Sequence, residues 1–193
     1  MLFRSYEHVV HAVDIFTNDT ARLLPAKRIT LSTAGVVPGI MRLADDNRPI
    51  KLALSLHATT NGLRRKLMPI ANKYSLEDLG NAIEYYYRCT KIPVTYEYIV
   101  FQGLNDSALD VRRLARFARR VPSKVNVIPF HSIDFTNPSG VSADLRAPSR
   151  EDLQTFVSAL RNEGVHVMIR SSSGVDIDAA CGQLALSSQP SAS

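Results

Sequence analysis

Cysteine is scarce in this chain: Cys89 and Cys181 are the only two among 193 residues. Two thiols exclude a disulfide scaffold and any all-cysteine metal site built within the chain. Long apolar runs are missing too, and none approaches the roughly 18–20 residues a bilayer-crossing helix needs. The opening Met1-Leu2-Phe3-Arg4-Ser5 lacks the charged-then-apolar layout of a secretory signal. A cytoplasmic setting, with both cysteines reduced and no membrane partner, is therefore expected. No carboxylate pair, glycine-rich phosphate loop, zinc-ligand spacing or serine triad stands out. Excess charge is small: 23 Lys and Arg against 18 Asp and Glu, a net +5. That suits contact with RNA or DNA and equally an ordinary soluble enzyme.

What is present is alternation. Tyr6 to Phe16 carries Val9, Val10, Val13 and Phe16 at helical spacing, and Arg28 to Ser32 is a short β-rich run. Val36 to Ala44 can form a helix with Pro38 in its first turn, and Lys51 to Leu56 reads as a strand. The basic segment Leu63 to Met68 is too short to assign. Ser75 caps a helix from Leu76 to Arg88, with Glu77 and Asp78 complementing its dipole. Val94 to Phe101 is a β-branched and aromatic strand, Ser107 to Val121 a helix, and Lys124 to Phe130 a strand. Ser149 caps a helix through Arg161, Gly164 ends it, and Val165 to Arg170 is the last strand.

Five strands separated by helices, with no Asn-Gly between two strand-like runs, predict β/α units and a parallel sheet. Helices on one face would make a partial barrel, and helices on both a doubly wound sheet; periodicity does not separate them. A chain opening on a helix is odd for a β/α barrel. His131 to Pro148 is a long loop, and 187–193 (SSQPSAS) reads as a disordered tail.

In parallel β/α folds ligands sit beyond the C-terminal strand ends. That rule selects Ser32, Thr33 and Gly35, then Ser55, Leu56 and His57, then His131, then Ser171 to Gly174. Hydroxyls and imidazoles converging on one rim suit a polar ligand carrying a carboxylate and a ribose. Taken singly, each Ser or Thr could equally be a helix cap, and His57 a structural histidine. Cys181, among small residues, is either a reactive thiol near a helix start or a small buried hydrophobe. Cys89 reads as structural, on the apolar side of its helix near Tyr85 and Tyr86. Arg112, Arg113, Arg116, Arg119 and Arg120 on one helix, and Arg64-Arg65-Lys66, are solvated faces or phosphate contacts.

The string Asp176-Ile177-Asp178-Ala179-Ala180-Cys181-Gly182-Gln183-Leu184 resembles the signature near the C-terminus of the dual-specificity radical S-adenosylmethionine RNA methyltransferases. Ile29 to Pro38 (ITLSTAGVVP), Leu54 to Ala58 (LSLHA) and Val125 to Phe130 (VNVIPF) match the same family in order, so the resemblance runs from about residue 6 to 186. It implies a partial (β/α) barrel lacking its first two strands, spanning 1–186 as the C-terminal portion of a longer enzyme. The implied activity is methylation of adenosine carbon 2 in 23S rRNA and tRNA by a monomer. In that chemistry Cys181 takes a methyl group from one S-adenosylmethionine. A second S-adenosylmethionine, cleaved on a 4Fe-4S cluster, yields the radical that activates the S-methyl. Ser32, Ser55, Leu56, His57 and His131 then line the S-adenosylmethionine pocket.

The departures are equally specific. The family's C-x3-C-x2-C cluster ligands, its resolving cysteine, its Gly-Glu-Pro turn, a proposed general base and its N-terminal RNA-binding domain have no counterpart here. His131 stands where an asparagine is expected, and Ser173 where an arginine is frequent. The chain by itself is therefore expected to be inactive. An RNA-binding remnant, a generic half-barrel enzyme with Cys181 as nucleophile, and the related carbon-8 methyltransferase are the alternatives.

Overall fold

The computed structural model describes residues 6–17, 24–131 and 143–170. The element order is α1 (Tyr6–Thr17), β1 (Thr30–Thr33), α2 (Val37–Asp45), β2 (Lys51–Ser55), α3 (Asn61–Leu67), α4 (Leu76–Thr90), β3 (Val94–Val100), α5 (Ala108–Ala118), β4 (Ser123–Pro129), α6 (Arg150–Asn162) and β5 (Val167–Ile169). The unassigned basic segment is α3, whose first turn is closed by the Thr60 side chain accepting from Leu63 N–H. Arg28 belongs to a 3₁₀ turn rather than to β1, because Pro25 starts that turn and Arg28 N–H closes it on the Pro25 carbonyl. The strand over Val165 to Arg170 is shorter than its sequence suggests, since Val165 N–H is still held by the Leu160 carbonyl of α6.

All strand pairings are parallel and the order is β1-β2-β3-β4-β5. Sequential parallel strands joined by crossovers of one hand stack their helices on one face, the winding of a barrel wall. Burial agrees. Leu31, Leu52, Leu54, Val94, Tyr96, Tyr98, Val100, Val125, Val127 and Val167 form one core with Ile40, Leu43, Leu79, Ile83, Leu114, Phe156 and Leu160 from the helices. β3 shows the alternation most cleanly, its Val94, Tyr96, Tyr98 and Val100 buried and the residues between them half-buried. Among the described residues no helix covers the second face, and its strand residues are mostly short or polar.

Helix starts are chemically specified. Ser75 with Asp78 and Ser107 with Asp110 form reciprocal capping boxes on α4 and α5, and Ser149 accepts from Asp152 N–H on α6. These caps fix where α4, α5 and α6 begin, while the all-parallel strand order is what puts the strand-end loops at one end of the sheet.

Candidate functional site at the strand ends

The loop after β1 is tight and tied inward. Thr33 Oγ1 accepts from Gly35 N–H at 3.1 Å and Val36 N–H at 3.4 Å. Gly35 has φ +102°, and a Cβ there would stand 2.8 Å from Leu79 Cδ2 and 3.0 Å from Arg64 Nη2. Arg64 is fully buried and caps carbonyls at two strand ends: Nη2 donates to Ala34 O (2.7 Å) and Ser55 O (3.2 Å), and Nε to Leu56 O (3.3 Å). Burial lowers its pKa to about 10, which leaves it protonated at neutral pH. A planar cation thus splices the ends of β1 and β2, a geometry a lysine could not reproduce.

β2 parts from β3 at His57, whose φ is +54°. Its imidazole takes over the ladder there: Nδ1 accepts from Ile99 N–H at 3.2 Å. The neighbouring ladder positions are filled by Asn105, fully buried, whose Nδ2 donates to His57 O (3.0 Å) and Ile99 O (2.7 Å) while Oδ1 accepts from Phe101 N–H (2.8 Å). Tyr98 adds an O–H bond to the Asn105 carbonyl at 2.8 Å. Desolvation first, then the charge of Arg64, drives the His57 pKa down to about 4. The ring is therefore neutral at pH 7, and since Nδ1 is an acceptor, the proton resides on Nε2. His57 is a fixed hydrogen-bond donor.

The helix-free face below this rim has a small-residue floor. Ser32 pairs in register with Ala53, and Ser55 with Glu97, which in turn pairs with Asn126. Asn126 Nδ2 donates to Glu97 Oε1 at 2.9 Å. Glu97 Oε2 is buried and has no partner among the described residues. Neither residue is singled out by strand-end position, because both lie inside strands. The available signal was a Glu and an Asn at half-buried positions of adjacent apolar strands.

Of the residues selected from sequence, Ser32 is exposed on this face, and Ser55 and His57 are half-buried at the rim. Leu56 turns its side chain into the core, and its N–H donates to Glu97 O at 3.0 Å. His131 follows β4, next to Phe130, whose ring contacts Phe101 at 5.0 Å. Cys181, Ser173 and the tail at 187–193 lie outside the described residues. Cys89 corrects its expectation: it is exposed on α4 rather than on the buried face, since that face is occupied by Leu79, Ala82, Ile83 and Tyr86. The arginine clusters are corrected in part. Arg64 is internal, and Arg120 donates to Glu77, Glu84 and Asn81 at 2.7 to 3.1 Å, whereas Arg112 and Arg116 remain exposed. No group of three His, Cys, Asp or Glu able to hold a metal ion occurs among the described residues. With two cysteines in all, the chain cannot by itself supply three thiolates to an iron–sulfur cluster.

A one-sided parallel sheet with a polar mouth at its strand ends defines a partial α/β barrel. A radical SAM methyltransferase from Sphaerobacter thermophilus superposes with a TM-score of 0.83 at 38% identity, over 94% of this chain and 51% of that one. A domain of a pyruvate-formate lyase-activating enzyme from Bacteroides vulgatus shares the fold alone, at TM-score 0.59 and 15% identity. No family model matches the chain. Among curated proteins, a probable dual-specificity RNA methyltransferase RlmN of Moorella thermoacetica is 44% identical over 186 residues, covering 96% of this chain and 50% of the relative. Its counterpart in Flavobacterium johnsoniae is 42% identical over 181 residues, covering 94% and 50%. Over 94–96% of its length the chain is homologous to these probable dual-specificity RNA methyltransferases, and it spans about half the length of the curated relatives it matches.

Proposed function

We propose that this chain is the S-adenosylmethionine-binding and methyl-carrying portion of an enzyme that methylates carbon 2 of adenosine in 23S rRNA and tRNA. The observation that supports it most is the pairing of 94% coverage by these relatives with a preorganised polar mouth. S-adenosylmethionine supplies the methyl group. Ser32 and Ser55 offer hydroxyls, His57 offers an Nε2–H donor in a fixed tautomer, and His131 stands at the end of β4. We assign Cys181 as the methyl carrier. Its thiolate attacks the sulfonium methyl, one S–C bond forms as another breaks, and S-adenosylhomocysteine leaves. The residues present do not fit a 4Fe-4S cluster; its three thiolates would have to come from outside this chain. The enzyme is proposed to be monomeric and cytoplasmic, with RNA as its macromolecular partner.

The test is a hybrid in which the unmatched half of the Moorella thermoacetica relative is joined to this chain. Mass spectrometry of 23S rRNA should detect 2-methyladenosine with the hybrid and none with the Cys181→Ala hybrid. Unchanged product from the variant, or a carbon-8 product, would overturn the corresponding part of the reading.

A further inference from the structure

Glu97 is the group in the mouth that no role described so far employs. It sits within β3, flanked by Tyr96 and Tyr98, which are buried on the helix side, so its own side chain faces the helix-free side. Its backbone carbonyl accepts from Leu56 N–H at 3.0 Å and His57 N–H at 3.4 Å, which locks it beside the rim. Asn126 satisfies Oε1 at 2.9 Å and fixes the carboxylate plane. Oε2 is shut away from water with no donor among the described residues. A native fold rarely leaves a carboxylate oxygen in that state, because desolvation is uncompensated unless a donor arrives. On one side Ser55 is its register neighbour, about 4.8 Å away between strand axes, and the small side chains of Ala53 and Ser32 share that face.

We propose that Glu97, oriented by Asn126, is a ribose-recognition residue: its free oxygen accepts hydrogen bonds from the vicinal hydroxyls of the nucleoside bound in this mouth. The inference rests on the S-adenosylmethionine-binding reading above. An ionised carboxylate is acceptor-only, and a diol presents two donors that one oxygen with two lone pairs can accept. The rest of the mouth offers His57 Nε2–H and the serine hydroxyls, donors that suit the acceptor-rich remainder of such a ligand. Carboxylates reading ribose hydroxyls at the strand ends of parallel sheets are a recurrent solution to the same geometry.

Equilibrium dialysis of the full 193-residue chain tests this with S-adenosylhomocysteine and its 2′,3′-dideoxy analogue, on wild type and Glu97→Gln. Wild type should prefer the diol by about tenfold or more, as loss of a bond to a charged acceptor implies. That preference should collapse in Glu97→Gln, whose amide removes the charge while keeping the volume. Equal binding of both nucleosides by wild type overturns the proposal without any variant. A preference that survives Glu97→Gln, including a uniform weakening of both ligands as an ammonium contact would give, overturns it as well. No binding of S-adenosylhomocysteine by wild type overturns the S-adenosylmethionine reading and this inference with it. Good binding without diol preference sinks this inference alone.

Discussion

His57 shows how much chemistry one backbone angle can settle. With φ at +54° the chain leaves the sheet, and the ring replaces a backbone carbonyl as acceptor for Ile99 N–H. Protonating Nδ1 would break that bond and place a second cation near Arg64, so the pKa falls from 6.5 to about 4. The unfolded chain thus takes up a proton before the folded one as the pH drops. The stabilisation linked to His57 is intact above about pH 6.5 and is lost progressively as the pH falls toward about 4. An NMR titration should show His57 neutral, with the proton on Nε2, down to about pH 5; a midpoint near 6.5 would refute the buried geometry. Asn105 holds the same corner. Asn105→Ala leaves His57 O, Ile99 O and Phe101 N–H without their side-chain partner, and should cost about 3 kcal/mol in urea unfolding. Both residues are legible in the sequence only as letters: His57 stands at a strand end, and nothing local marks Asn105 as the residue that fills its ladder.

Among the elements, the helices were the most readable, because their caps are local chemistry. Ser107 is a case in point, its side chain accepting from Asp110 N–H while Asp110 accepts from Ser107. Ser107→Ala should destabilise by about 1 kcal/mol and lower the melting temperature by about 3 °C in a calorimetric scan. The contact between α4 and the turn that follows α5 was not readable. Gly80 leaves the space that the Arg120 guanidinium occupies, since a Cβ there would fall 2.1 Å from Arg120 Nη1. Arg120 then reaches Glu77 and Glu84. Arg120→Ala should lower stability at low ionic strength and do so less as salt rises, because these partners face solvent. From the sequence, Arg120 belonged to a row of arginines available to phosphate, since nothing local marks which one will meet carboxylates from another helix.

At the scale of the whole molecule, the open question of winding was answered by strand order. Among the described residues, consecutive neighbours leave one face bare of helices, and that face carries the polar mouth. Purified alone and reconstituted with iron and sulfide, the chain should develop no iron–sulfur absorbance and methylate no RNA, because it offers two thiols where three are needed; turnover by these 193 residues alone would refute that.

Two cysteines among 193 residues, the five-strand alternation, the helix caps and the strand-end serines and histidines were determined by the sequence alone, for each depends on residue type and short-range spacing. Tertiary structure decided what depends on distant segments meeting: that Arg64 is internal, that Cys89 is exposed, and that His57 is a donor. It also decided that Glu97 and Asn126, 29 positions apart, share one hydrogen bond and leave the second carboxylate oxygen without a partner among the described residues. Parallel pairing brings such residues together across intervening helices, and no local pattern records which strand will lie beside which.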